Sequence, residues 1–161
     1  MDTRISLLVI FVMLLASSCN KKTTGHLGES NIENSIFDNA SRLTTGQKDS
    51  LFQVIKAFET DIGSRIIIVT TDSLGEEEIN EFTLSKSREV QGTSDYFYGV
   101  LIVVSSGNQE TRILFGQELK EGIDGNAVGK IISEDMMPSF RKNNFSCGLK
   151  LGIQKIKEIV K

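Results

Sequence analysis

The stretch RIIIVTT, Arg65–Thr71, decides the fold. Its four consecutive β-branched residues, Ile66–Val69, leave no face for water, so the segment suits a strand covered on both sides, as in a parallel sheet flanked by helices. A second apolar run, GVLIVV at residues 99–104, has the same character. Between them, SLGEEEINEFTLSKSREVQG (73–92) reads as a helix with acids in its first turn, where they favour the macrodipole. The interval is long enough for a right-handed helical crossover, which makes the two strands parallel neighbours. SSGNQE (105–110) then turns the chain, and TRILFG (111–116) returns as an antiparallel third strand with Ile113 and Phe115 on one face.

Upstream, Thr44 or Thr45 can cap a helix whose residues Leu51, Val54, Ile55 and Phe58 share one face, and Gly63 closes it. Downstream, one helix carries Ala127, Val128, Ile131 and Ile132 up to Pro138, and another carries Leu149, Ile153, Ile156 and Val160. The expected fold is therefore a three-layer α/β/α sandwich, with a small mixed central sheet flanked by helices on both faces.

The N-terminus, MDTRISLLVIFVMLLASSCNKK, has the order of an export signal: a basic start at Arg4, an apolar run Leu7–Leu15, then small residues before Cys19. The run is about half of the roughly 20 residues that a bilayer-spanning helix needs. LLASSC resembles a bacterial lipobox, which makes Cys19 the lipidated first residue of the mature chain and attaches it to the bilayer. Asn20 is not an aspartate, so the expected address is the cell envelope, on the periplasmic side of the outer membrane. Residues 1–18 form the signal, 19–34 a polar, Gly-containing tether, and 35–161 one folded domain.

With Cys19 alkylated, Cys147 has no disulfide partner and reads as a packed free thiol on the last helix. The only histidine, His26, falls in the tether, which argues against a Cys/His hydrolase. Residues 1–18 hold one acid, Asp2, and one base, Arg4, so the formal charge stays at −3 after their removal. No basic stripe, zinc cluster or interleaved aromatic patch points to nucleic acid.

From FDNASRLT through SRIIIVTTDSLGEEEINEF, GVLIVVSS, TRILFG and AVGKIISEDMMPSFRKNNFSCGLKLGIQKI, the chain resembles the TPM domain family. That family is named for a thylakoid lumen protein, a photosystem-associated protein and a nematode receptor accessory protein. The most specific word is MMPSFRKNNFSCGL (136–149), similar to the family's P-x-F-R-x-G-x-x-x-x-G-L segment. The resemblance implies an α/β/α fold, export and often a membrane anchor. It also implies one of several roles: acid phosphatase, binder of divalent cations, chiefly calcium, or accessory subunit of a membrane complex.

With strands one and two parallel and strand three antiparallel, the entry to GVLIVV and the exit from TRILFG share one end of the sheet. Asp95 and the loop GQELKEGIDG, with Glu118, Glu121 and Asp124, are expected there; the resemblance adds Asp38 nearby and Asp72 falls at the opposite end. Acids on Gly-rich loops suit calcium, which takes six to eight oxygens, better than magnesium. Asp38-Asn39 equally reads as a turn before the first helix, and ELKEGID as a solvated face. Phe97 stands where the family pattern has an aspartate, and Gly125 matches another unless Asp124 serves. The expected function is a calcium-binding accessory or interaction module of the envelope, partnered with a membrane protein complex; the alternative is a metal-assisted acid phosphatase.

Overall fold

β-Branched residues crowd the backbone into an extended form and pack well on a pleated surface, and Ile66–Thr71 forms the strand β2 at the centre of the sheet. The computed structural model describes residues 32–91, 94 and 96–161. Cys19 and Asp95 lie outside the described residues. In chain order the elements are α1 (Ile32–Ser35), β1 (Ile36–Asp38), α2 (Thr45–Ile62), β2 (Ile66–Thr71), α3 (Ile79–Gln91), β3 (Val100–Ser105) and β4 (Glu110–Phe115). They are followed by α4 (Gly125–Lys130), a wide π turn (Ile131–Met136), α5 (Met137–Phe140) and α6 (Phe145–Ile159). Among the described residues, no helix is long and apolar enough to cross a membrane.

The sheet runs β1-β2-β3-β4. β1 and β3 flank β2 in parallel, and β4 returns antiparallel to β3 with Val100 opposite Phe115 and Ser105 opposite Glu110. The parallel pair and the hairpin agree with the sequence reading. β1 is an added strand. It has three residues, one buried, one exposed and one intermediate, too few for an alternating pattern to register.

Alternation along β2 and β3 divides the core. Ile66, Ile68, Val100, Ile102 and Val104 face α2 and the C-terminal helices, where Leu51, Ile55, Phe58, Leu149 and Ile153 close the larger cluster. Ile67, Val69, Leu101 and Val103 face the other way and are covered by Ile79, Phe82 and Val90 of α3. This is the expected three-layer arrangement. Full burial of each such aliphatic side chain contributes about 1.5–3 kcal/mol.

Local signals set the ends. Thr44 caps α2 in a reciprocal capping box with Gln47, and Gly63 ends it at φ 77°. α3 starts later than the acids suggest. Leu74 is buried and Gly75 turns left-handed at φ 68°, so Glu76–Glu78 precede the helix instead of occupying its first turn. The helix expected to run up to Pro138 widens into the π turn. Proline has no N–H to continue a regular ladder, and Pro138 sits at the start of α5.

Candidate functional site

Asp38 ends β1 at the level of Thr70, and the next five residues wrap around its carboxylate. Oδ1 accepts the Arg42 N–H at 2.9 Å and the Thr70 hydroxyl at 2.7 Å; Oδ2 accepts the Leu43 N–H at 3.1 Å and pairs with Lys48 Nζ at 3.1 Å. The side chain is only 1% exposed. Burial opposes its ionisation, but the Thr70 hydroxyl, the Arg42 N–H, Lys48 and the Leu43 N–H outweigh that and hold its carboxyl below the ordinary range. Thr70 Oγ1 also accepts the Ala40 N–H at 3.3 Å. The turn reading of Asp38-Asn39 therefore describes what this carboxylate does.

The clamp delivers Arg42 to the carboxyl ends of the strands. Its guanidinium lies 5.6 Å above the Phe145 ring, donates from Nε to Ser106 Oγ at 3.1 Å, and from Nη2 to Asp72 Oδ1 at 2.6 Å. Ser106 donates to the same Asp72 oxygen at 2.6 Å. The Ser106 hydroxyl and then Arg42 lower the Asp72 carboxyl below its usual range. The hairpin tip can come this close to β2 because residue 107 is glycine: a Cβ there would lie 2.2 Å from the Asp72 carbonyl oxygen.

Beside this cluster a groove of about 170 Å³ opens between the β3–β4 hairpin and the C-terminal helices. Its polar lining includes Arg42, Arg141, Ser106, Gln109 and Asn143 together with the carboxylate Glu110; Val104, Met137, Phe140 and Phe145 supply its apolar side. Among the described residues Arg141 makes no ion pair, whereas Arg42 is held by Asp72. The carboxyl ends of parallel strands are where open α/β sheets receive ligands.

Of the three described non-glycine residues with positive φ, Gln109 at 55° and Asn143 at 56° line this groove, and Ser41 at 50° precedes Arg42, which does. Left-handed backbone at residues with a Cβ is held only where surrounding contacts enforce it, and it concentrates at functional surfaces. Asn143 is fixed as its N–H and that of Asn144 turn back to the Phe140 and Ser139 carbonyls. The π turn just upstream sets the angle at which Met137, Phe140 and Arg141 reach the groove.

Of the five acids expected to share one site, the four described ones do not come together. β1 runs parallel to β2, which carries Asp38 to the carboxyl end, whereas Glu118 sits at the amino end: its Oε1 accepts the Gly99 N–H and the Ser64 hydroxyl, the latter at 2.7 Å. The six residues of β2 separate the two by roughly 20 Å. The expectation placed Asp38 at the wrong end of the sheet and Asp72 opposite the loop, where it is found; Asp38 and Asp72 belong together. Glu118, Glu121 and Asp124 stay in one loop. Glu121 and Asp124 are exposed, and Asp124 caps α4 by accepting the Asn126 N–H at 2.9 Å. Phe97 is buried in the smaller core cluster with the Arg65 guanidinium 5.6 Å over its ring, so no carboxylate stands there. Among the described residues no three His, Cys, Asp or Glu side chains gather as a metal-holding group. Arg42 and Arg141 were not singled out from the sequence, although Arg141 lies in the MMPSFRKNNFSCGL word.

Three solved structures share the fold. The N-terminal domain of a protein from P. gingivalis is 23% identical, covering 77% of this chain and 80% of that one, with a TM-score of 0.67. The BA42 protein of the psychrophilic bacterium Bizionia argentinensis is 17% identical over 73% and 81%, with a TM-score of 0.64. The N-terminal domain of the cg2496 protein of Corynebacterium glutamicum, 7% identical over 84% and 86%, also scores 0.64. No functionally curated protein matches the sequence. The TPM domain model matches residues 36–159, from the first residue of β1 to the end of α6, and the chain belongs to the TPM domain family.

Proposed function

We propose that the chain is a binding module of a bacterial cell envelope, tethered through a lipidated Cys19, whose ligand presents a small anionic group to the groove. The observation that supports this is the convergence of Arg42 and Arg141 on one groove whose lining includes the left-handed residues Gln109 and Asn143. About 170 Å³ is less than the roughly 300–1,000 Å³ of a pocket that swallows a whole small molecule. The groove fits the end of a larger ligand, which suits an accessory role. The loop of Glu118, Glu121 and Asp124 is proposed as a separate calcium-responsive surface, since Glu118 ties it to the entry of β3.

A phosphatase is the alternative. Ser106 is the groove hydroxyl that Arg42 Nε donates to, and its proton partner is Asp72, a carboxylate held below its usual range and so a weak base. That arrangement gives a serine nucleophile little activation.

The test uses the full chain in detergent, with inorganic phosphate followed by amide NMR shifts and an aryl phosphate followed for hydrolysis, with and without calcium or magnesium. Binding that shifts residues of the groove without turnover supports the module. Turnover lost in Arg42→Ala and Arg141→Ala supports the phosphatase. Cys19→Ser tests the tether, since it should release the protein from the membrane fraction or stop its maturation.

A further inference from the structure

Resting on the groove reading, we infer that Asp72 is an internal stand-in for the ligand's anionic group, and that the ligand is an oxyanion carried on an apolar or aromatic stem. Two donors that an incoming oxyanion needs, Arg42 Nη2 and Ser106 Oγ, both line the groove, and both are spent on one oxygen of Asp72 at 2.6 Å. Asp72 itself stands outside the lining, at the rim, with its side chain 63% exposed. A pair this exposed is weakly held and exchanges readily with a competing anion.

The arrangement keeps Arg42 extended over the Phe145 ring, so its guanidinium is already placed when the ligand arrives. Displacement needs no rearrangement of the backbone, because the Arg42 N–H stays on buried Asp38 while only the side-chain partner changes. Arg141, which has no ion pair among the described residues, supplies the second positive charge, against the single lining carboxylate Glu110. The stem follows from the other wall. Phe140 and Phe145, both largely buried, stack with centroids 5.3 Å apart, and their edges line the groove with half-buried Met137 beside the guanidinium.

The experiment titrates the full chain in detergent with phenylphosphonate and methylphosphonate, neither of which has a hydrolysable ester, and reads Kd from amide and Arg Nε shifts. Asp72→Asn should bind phenylphosphonate about tenfold more tightly than the wild type. Glu110→Gln removes a charge from the groove lining but no partner of Arg42, and should change Kd by less than about threefold. Phenylphosphonate should bind about tenfold more tightly than methylphosphonate. In the wild type the Arg42 Nε resonance should move as the probe binds. Equal gains in Asp72→Asn and Glu110→Gln would reduce the effect to general charge and overturn the stand-in role, while leaving the groove reading intact. Equal affinity for the two phosphonates would overturn the apolar stem. Absence of binding in every form would overturn the groove reading and this inference with it.

Discussion

The Asp38 carboxylate accepts the Thr70 hydroxyl at 2.7 Å, across a register pair of the parallel strands β1 and β2. This bond joins an edge strand to the centre of the sheet and fixes the turn that carries Arg42. Asp38→Ala leaves the buried Thr70 hydroxyl and two backbone N–H groups without their acceptor. At neutral pH it should lower the unfolding free energy by about 3 kcal/mol, the scale for removing one partner from a buried, charge-assisted network. The same donors lower the carboxyl's pKa, so its contribution is complete above the ordinary Asp value of about 3.9 and is lost as pH falls through the lower folded-state value. Urea titrations should show the gap between wild type and variant narrowing from pH 7 to pH 3. A gap of constant size would assign the loss to packing.

Because Asp38 and Glu118 occupy opposite ends of the sheet, the calcium proposal makes a different prediction for each. A calcium ion held at the loop should raise the melting temperature of Asp38→Ala by the same increment as the wild type. Glu121→Ala combined with Asp124→Ala should remove the increment. At a hundredfold excess over Kd the increment corresponds to about 2.7 kcal/mol. Asp124→Ala also removes a helix cap, a cost of about 1 kcal/mol that lowers both melting curves, so the difference between them is the quantity to compare. Loss of the increment in Asp38→Ala would place the ion at the carboxyl end of the strands.

The sheet was legible because β2 and β3 are apolar without a break and the hairpin between β3 and β4 is short. β1 was not, since a three-residue edge strand shows no period, and without it Asp38 could not be assigned to an edge. Once β1 lies parallel to β2, its last residue must share an end with Thr70. The groove was hidden for a different reason. Arg42, the β3–β4 hairpin, Arg141 and Phe145 come from separate segments, and only the packing of the C-terminal helices on the sheet brings them together. The acids, by contrast, were conspicuous in sequence yet serve in part as structural acceptors, Asp38 for a turn and Asp124 for a cap.

Among the described residues Cys147 has no disulfide partner, and it is half-buried in the first turn of α6. Its N–H, not its sulfur, makes the local bond, to Asn144 Oδ1 at 3.3 Å. Cys147→Ala keeps that bond and should cost no more than about 1 kcal/mol in a denaturant titration. A thiol reagent should modify Cys147 in the folded Cys19→Ser protein, since part of the side chain reaches solvent. Resistance to the reagent until unfolding would mean that the helix end is more tightly covered than its half-buried state implies.

The last prediction concerns how the groove's apolar wall is held. Gly148 and Gly152 lie one turn apart on α6, against the π turn and α5. A Cβ at Gly148 would meet the Phe140 ring at 2.5 Å and the Met136 carbonyl oxygen at 2.8 Å; one at Gly152 would meet only the Met136 side chain, nearest at 2.6 Å. The first neighbour set includes backbone and a ring stacked on Phe145, neither of which can move independently. The second is a flexible thioether that can change rotamer. Gly148→Ala should therefore destabilise by about 1–3 kcal/mol, as overpacking does, while Gly152→Ala should cost less, since replacing glycine by alanine within a helix recovers part of the loss. Displacing Phe140 also tilts the ring pair next to Arg42, so Gly148→Ala should weaken phenylphosphonate binding and Gly152→Ala should leave it nearly unchanged. Equal effects of the two variants on stability and on binding would show that the helix contact yields as a unit and does not set the wall through Phe140.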